Sequence, residues 1–484
     1  MFQIQVVTPD QQFSGKQLMV ALCLGVWAAA VLLAPTALAK IWLTLPLALA
    51  VFAGWVLIDA SRWVLLFLVA AVILPPLPIA IGNSGPHPAL LLAALGILAG
   101  VQRLHRWRFE GGAVGVALLL FLAVLLSSIG QAAIYSGGGI AIASLARVGL
   151  FAITPYVFLY TLDGPGCQRA NTARLTRYLF WAAVATALFA CLDFYFQWPA
   201  PAGFGAQFVW LPEGVFRRAQ GVFYEASTLG NFCAFFLVMI AVALFGSRQQ
   251  APASRPALVS GGVILATALL LSYSRASVLN VFVAVCTLVY LKRARMGRIV
   301  PIMIGLVMGS AGVAYVLLPT FSAAYWARLA ITLQYFWSSP NGVLSGRLDN
   351  WSILLDFAAR QPWTLLLGIG YKTLPYSEYV GTNVIGDNTY FSLLIETGIV
   401  GLVAFLVLNI AILRSAFRAA QSPSPRAAFL GTWIFCFWIG QLVQMASGDL
   451  ITYWRVLPVY FWVLATAIRE TRNGTLTRRD AVLP

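Results

Sequence analysis

The chain is short of charge. Only 10% of its 484 residues are charged, and histidine occurs twice. Apolar residue types make up 61%, more than a soluble fold can bury, so the excess must face lipid. Acidic residues are the scarcer sign, with 15 Asp and Glu against 31 Lys and Arg. The resulting net charge of +16 does not denote a nucleic-acid partner. The basic residues fall in short clusters between apolar runs rather than along one amphipathic face. Cysteine is sparse too: six residues form no CxxC pair. Cys23, Cys191, Cys233, Cys286 and Cys436 lie inside apolar runs and Cys167 in a basic loop, so neither disulfides nor a metal site is expected. The isolated His87 and His105 carry no motif. The N-terminal MFQIQVVTPDQQFSGK lacks a basic n-region and a small-residue cleavage site, so the first apolar run is expected to stay as a membrane helix.

What the sequence has instead is apolar runs. They begin near Leu18, Ile41, Trp63, Pro88, Gly112, Ile140, Tyr178, Ser227, Ala257, Ser277, Ile299, Phe391, Ala428 and Leu450. This predicts an all-α polytopic membrane protein of about fourteen helices. The run at Pro88 is short enough to be tilted or re-entrant. Arg103, Arg106 and Arg108 follow the fourth run, and Lys292, Arg293, Arg295 and Arg298 the tenth. Every other basic cluster likewise follows an even-numbered run. With Lys16 and Arg62, 21 of the 31 basic residues share one side, which the positive-inside rule makes cytoplasmic. Both termini then lie in the cytoplasm of a bacterial inner membrane, and the odd-to-even connections are periplasmic.

Two of those connections are long, 198–224 and 319–388. The chain thus reads as helices 1–11 over residues 1–318, a large periplasmic loop over 319–388, and helices 12–14 with a tail over 389–484. The large loop is too long to lack structure, and Gly346–Arg360 has mostly apolar residues at helical spacing. In the same loop Tyr325, Trp326, Trp337, Tyr371 and Tyr376 could stack on sugar rings.

The informative cations are those that oppose the topology rule: Arg217, Arg218, Arg275, Arg328, Arg347, Arg360, Lys372 and Arg455. Something anionic is expected to compensate some of them, and a lipid-linked diphosphate suits paired, charge-assisted hydrogen bonds from arginine. Arg217 and Arg218 stand in VFRRAQGVFYEASTLGN, with Glu225 at the first turn of the next helix. Arg275 stands in LLLSYSRASVLN, between two helices with almost no loop, where a charge is a functional candidate. Asp387, in GTNVIGDNTYFSLLIETGIVGL, stands at or just before a helix N-terminus, a favourable N-cap position. Glu396, nine residues on, falls on the opposite face of a straight helix and is expected to bond within the bundle. Arg147 and Asp193 are expected to pair with each other.

These elements, in this order, resemble the O-antigen ligase and Wzy-type polymerase superfamily. The matching pieces are RRAQGVFYEAS, SYSRAS, and a large loop that opens with SGRLDNW and closes with GxGY and DNTYFSLLIETGIVGL. They cover roughly the C-terminal 270 residues. The resemblance implies a GT-C-like membrane glycosyltransferase that uses undecaprenyl-diphosphate-linked glycans at the periplasmic face without a metal or other cofactor. It puts phosphate-binding arginines on Arg218 or its neighbour Arg217, on Arg275 and on Arg347. Asp387 is the candidate base with Glu225 as rival, and Tyr224, Asn388 and Tyr390 are candidate glycan contacts. Ligases of the family commonly carry His where this chain has Asp387, and that residue together with FYEAS looks more like exopolysaccharide polymerases. The expected function is therefore polymerisation of repeat units, with ligation of finished polymer as the alternative. The implied partners are the lipid-linked glycan and the bilayer, with a chain-length regulator as a further candidate. A lipid-glycan flippase is the reading from another class; against it, the unmatched cations gather at one membrane face rather than at the midplane.

Overall fold

The computed structural model describes residues 15–480 apart from 60, 80–85, 108–110, 165–171, 201–203, 212–213, 246–249, 294–300 and parts of 302–318 and 336–345. The chain divides into two units, residues 1–62 and residues 63–484. The first is a helical pair, α1 (Gly15–Leu33) and α2 (Ala37–Ile58), with Thr36 capping α2 through the Ala39 amide. The run near Ile299 lies largely outside the described residues.

The second unit holds α3 (Arg62–Ile73), α4 (Ala89–Val101), α5 (Gly112–Ser136), α6 (Gly138–Asp163), α7 (Thr172–Phe196), α8 (Ala226–Phe245), α9 (Arg255–Leu271) and α10 (Arg275–Leu291). After these come α11 (Pro319–Tyr335), α12 (Arg347–Arg360), the single turn α13 (Thr364–Leu367), α14 (Thr389–Ala420), α15 (Pro425–Met445) and α16 (Leu457–Asp480). Among the described residues seven helices, α2, α5–α8, α14 and α15, are long and apolar enough to cross a membrane. The chain is thus an all-α polytopic membrane protein, with seven of the about fourteen expected helices meeting that length and hydropathy among the described residues. Helices α3 and α4, of 12 and 13 residues, fall short of a hydrocarbon layer about 30 Å thick at about 1.5 Å per residue, whereas α9 and α10, of 17 residues each, stand at the lower limit of a span.

Helix α8 is the centre of the bundle. It is buried on nearly all sides and predominantly apolar, as an interior helix must be, and packs against α7, α9, α10 and α15. Around it α10 lies on α15, α14 on α5 and α15, and α16 on α6 and α15.

Helix α14 is broken at Gly398, whose φ of 68° and ψ of −173° are not helical. A break there deprives the carbonyls three and two residues earlier of their partners in the next turn. Inside a membrane protein those groups need replacements. The GIGY segment supplies them: Ile369 N–H donates to the Ile395 carbonyl at 3.1 Å, and Gly370 N–H to the Glu396 carbonyl at 2.8 Å. Gly370 itself has φ of 114° and lies against the backbone of Ala132 in α5, so glycine is required on both counts.

The sequence reading differs from the structure in two further places. The long connection before α8 contains a two-stranded antiparallel ribbon, β1 (Phe208–Leu211) and β2 (Gly214–Arg217), with Phe208 opposite Arg217. The run near Leu450 does not begin a helix. Residues 446–456 form a loop with one 3₁₀ turn, and α16 starts only at Leu457. The amphipathic helix expected at Gly346–Arg360 is α12, with Gly346 as its N-cap in the left-handed region.

Candidate functional site: a cationic cavity at converging helix N-termini

A cavity of about 490 Å³ opens where the first turns of α8, α10 and α12 and the residue before the cap of α14 meet. Ser227 comes from α8, Ser274, Arg275 and Ala276 from the start of α10, Arg347 from the first residue of α12, and Asp387 from just before α14. Arg218 enters from the segment after β2. A helix N-terminus carries a partial positive charge, so arginine there works against the stability of its own helix. Arg275 and Arg347 stand at such ends, and together with Arg218 they face one carboxylate and build a positive field suited to a multiply charged anion.

The local chain explains each placement. A three-residue turn joins α9 to α10, with Tyr273 at φ 50°, and it leaves Arg275 as the first residue of α10. Arg218 is anchored to the same turn: its Nε donates to the Ser272 carbonyl at 2.9 Å, while Ala219 N–H donates to Leu271 O. Burial pushes the Arg218 guanidinium below its ordinary pKa; Tyr453 and Glu225 oppose this, and the charges of Arg347 and Arg275 add to it. The arginines are therefore near enough to repel, an arrangement that an anion between them relieves.

Arg217 and Arg218 divide. Successive residues of extended chain point to opposite sides, and Arg217 turns away from the cavity to Asp193, at 3.3 Å, and to the Trp198 carbonyl. Arg218 is thus the member of the pair in the site. The expected Arg147–Asp193 pair does not form. Arg147 donates to the Lys372 carbonyl at 2.8 Å and lies over the Tyr376 ring.

Asp387 does not cap α14. Asn388 does, accepting from Tyr390 N–H at 2.9 Å and Phe391 N–H at 3.2 Å. Asp387 adopts a left-handed φ of 41°, and its Oδ2 lies 3.5 Å from Arg347 Nε with nearly half the side chain exposed. Asn388 is buried in capping and Tyr390 donates its hydroxyl to the Leu442 carbonyl, so neither lines the cavity. Glu396 is buried behind the site and accepts from Leu374 N–H at 3.4 Å, bonding within the bundle.

Glu225 and Tyr224 face a second cavity, of about 330 Å³, which shares Tyr453 with the first. Burial raises the Glu225 pKa; the Thr228 hydroxyl, 2.6 Å from its Oε2, and the charge of Arg218 act in the other direction.

Several residues of the site carry no sequence signal. Gln444, Ser447, Gly448 and Tyr453, at the end of α15 and in the loop after it, line the first cavity. Gln444 is fixed from below by a buried network: its Oε1 accepts from Asn231 and Asn280, and its Nε2 donates to Ser277 Oγ at 2.9 Å. The loop itself is tied down by a Lys372–Asp449 ion pair and by Thr389, whose hydroxyl donates to the Gly448 carbonyl. Arg455 spends its guanidinium on the carbonyls of Ala71, Val222 and Leu74, each at 2.7–2.8 Å.

Fold and site together define a polytopic membrane protein with a cationic, anion-suited cavity at one end of its helix bundle. Residues 260–406 match the family model described as O-antigen ligase, which is the superfamily that the sequence motifs resemble. The matched stretch carries Arg275, Arg347 and Asp387, while Arg218 and Glu225 precede it. The match indicates an enzyme of the O-antigen ligase or polymerase type. Compared with curated proteins, the chain gives no match.

Proposed function

We propose that the protein is a glycosyltransferase that polymerises undecaprenyl-diphosphate-linked oligosaccharide repeat units at the periplasmic face of a bacterial inner membrane. The observation that carries this reading is the cavity in which Arg275 and Arg347, each the first residue of its helix, meet Arg218 beside Asp387. The distribution of basic clusters supports the orientation, with both termini cytoplasmic.

The chemistry follows from the groups present. An acceptor hydroxyl oxygen attacks the anomeric carbon of the donor glycan, and the bond from that carbon to the diphosphate oxygen breaks. The electron pair leaves with the diphosphate, where the arginines stabilise it through charge-assisted hydrogen bonds worth about 1.5–3 kcal/mol each. The hydroxyl proton passes to a carboxylate, and Asp387 is the one that lines this cavity. Direct displacement inverts the anomeric centre. In this scheme the arginines carry the charge stabilisation that a metal ion supplies in other transferases.

A second reading, transfer of finished polymer onto a separate acceptor, is favoured by the description of the matching family as O-antigen ligase. The presence of Asp387 where ligases commonly carry His favours the polymerase. Purified protein incubated with its lipid-linked repeat unit separates the two: a polymerase forms a ladder of products. A ligase leaves the repeat unit unchanged until a different acceptor is supplied. A protein that forms no glycosidic bond under either condition refutes both.

A further inference from the structure

Resting on the transferase reading above, we infer that the second cavity is the subsite for the terminal sugar of the acceptor glycan, separate from the cavity that holds the donor diphosphate. Its walls differ in kind from those of the first. Phe204, Tyr224 and Trp454 give it aromatic faces, with the Phe204 and Tyr224 rings 4.9 Å apart, and the buried Phe223 backs the wall beneath Arg455. Its hydrogen-bonding side chains include Glu225, Gln207, Thr228 and Thr452, and His87 also lines it, with both ring nitrogens engaged by the Leu74 carbonyl and the Ala89 amide. Aromatic rings against the C–H faces of a sugar, with a carboxylate and an amide for its hydroxyls, make the usual composition of a neutral carbohydrate site.

The cation in this wall does not make it a phosphate site. Arg455 is buried, its Nε, Nη1 and Nη2 each donate to a backbone carbonyl, and it is stacked 4.7 Å over Phe223. It holds α3, the 221–223 turn and the loop before α16 together. Arg218, Arg275 and Arg347 all belong to the other cavity. The end of an acceptor glycan far from its lipid carries sugar hydroxyls and no diphosphate, which is the chemistry this second wall accommodates.

The two cavities lie side by side. Tyr453 lines both, and the chain crosses from one to the other between Gln207 and Phe208 and between Ser227 and Thr228. A sugar seated against Tyr224 and Glu225 can therefore present a hydroxyl past Tyr453 toward a donor held by the arginines. Glu225 is a binding group in this arrangement, and Asp387 remains the proton acceptor.

Two probes test the division on full-length protein in lipid nanodiscs: undecaprenyl diphosphate, and the oligosaccharide released from the lipid-linked repeat unit by mild acid. Glu225→Ala and Phe204→Ala should each weaken oligosaccharide binding about tenfold or more. The affinity for undecaprenyl diphosphate should stay within about twofold, which also reports an intact fold. Arg275→Ala should give the opposite pattern. In the transfer assay the second-cavity variants should raise the acceptor KM more than they lower kcat. Unchanged oligosaccharide binding in both variants, or equal loss of both probes in both, overturns the inference. Wild-type protein that binds the oligosaccharide at this wall but not undecaprenyl diphosphate would overturn the transferase reading and leave the sugar subsite standing.

Discussion

Removing Arg347 tests whether the cationic cavity stabilises a leaving diphosphate or merely holds Asp387. Its Nε lies 3.5 Å from Asp387 Oδ2, and its side chain is 24% exposed against 46% for the aspartate. An ion pair so open to solvent is worth about 1 kcal/mol or less. A guanidinium donating to a diphosphate that gains charge in the transition state contributes more, about 1.5–3 kcal/mol. At about 1.4 kcal/mol per factor of ten, Arg347→Ala should lower kcat/KM by about 10- to 150-fold. Asp387→Asn should lower it by about 10²- to 10⁴-fold if the carboxylate takes the proton. The double variant then decides between roles. If Arg347 acts on the diphosphate, the two losses multiply to within about fivefold, the margin that coupling through an ion pair of about 1 kcal/mol or less allows. If Arg347 acts only by orienting Asp387, the double variant is no worse than Asp387→Asn alone. The measurement is the initial rate of bond formation from purified lipid-linked repeat unit, at matched protein level and melting temperature. An Arg347→Ala enzyme within about threefold of wild type, with unchanged affinity for undecaprenyl diphosphate, would refute the assignment.

Asn388→Ser should retain both stability and activity, because serine also caps α14, whereas Asn388→Ala should cost about 0.5–2 kcal/mol in thermal or denaturant unfolding; a serine variant that is stable but inactive would return Asn388 to glycan binding. The stability of the protein should fall on mild acidification through His87. Its Nδ1 accepts from Ala89 N–H, so its proton is on Nε2, which donates to the Leu74 carbonyl at 2.9 Å. Burial and then the charge of Arg455 lower its pKa from 6.5 to about 4, against the opposing Leu74 hydrogen bond. The unfolded chain therefore binds this proton first. The contribution is complete above pH 6.5 and is lost as pH falls toward about 4, by up to about 3 kcal/mol. Melting curves in detergent between these limits should flatten in His87→Phe, and an unaltered slope would refute the assignment.

What the sequence disclosed was whatever opposed membrane topology. Arg218, Arg275 and Arg347 stand out because each violates the positive-inside pattern, and the structure gathers those three with Asp387 around one cavity. The same criterion could not separate Arg217 from Arg218, since the alternation that sends one to Asp193 depends on a ribbon with no helical signal around it. Nor could it separate Lys372 and Arg455, which are absorbed by Asp449 and by three carbonyls, from cations that face a substrate. Packing was still less legible. Helices α5 and α8 are both strongly apolar, yet their apolar windows are 39% and 94% buried. In a membrane the lipid-facing and protein-facing sides are equally apolar, so no periodic stripe marks the interior. The interior is marked instead by polar residues in apolar runs. Asn231, Asn280, Gln441 and Gln444 meet between α8, α10 and α15, and Tyr460 of α16 donates to Asn231 at 2.8 Å. That amide cluster ends at Gln444 in the cavity wall. The polar residues that bind the helices to one another thus reach the same cavity as the arginines, and the bundle's internal hydrogen bonding fixes the floor against which the site is built.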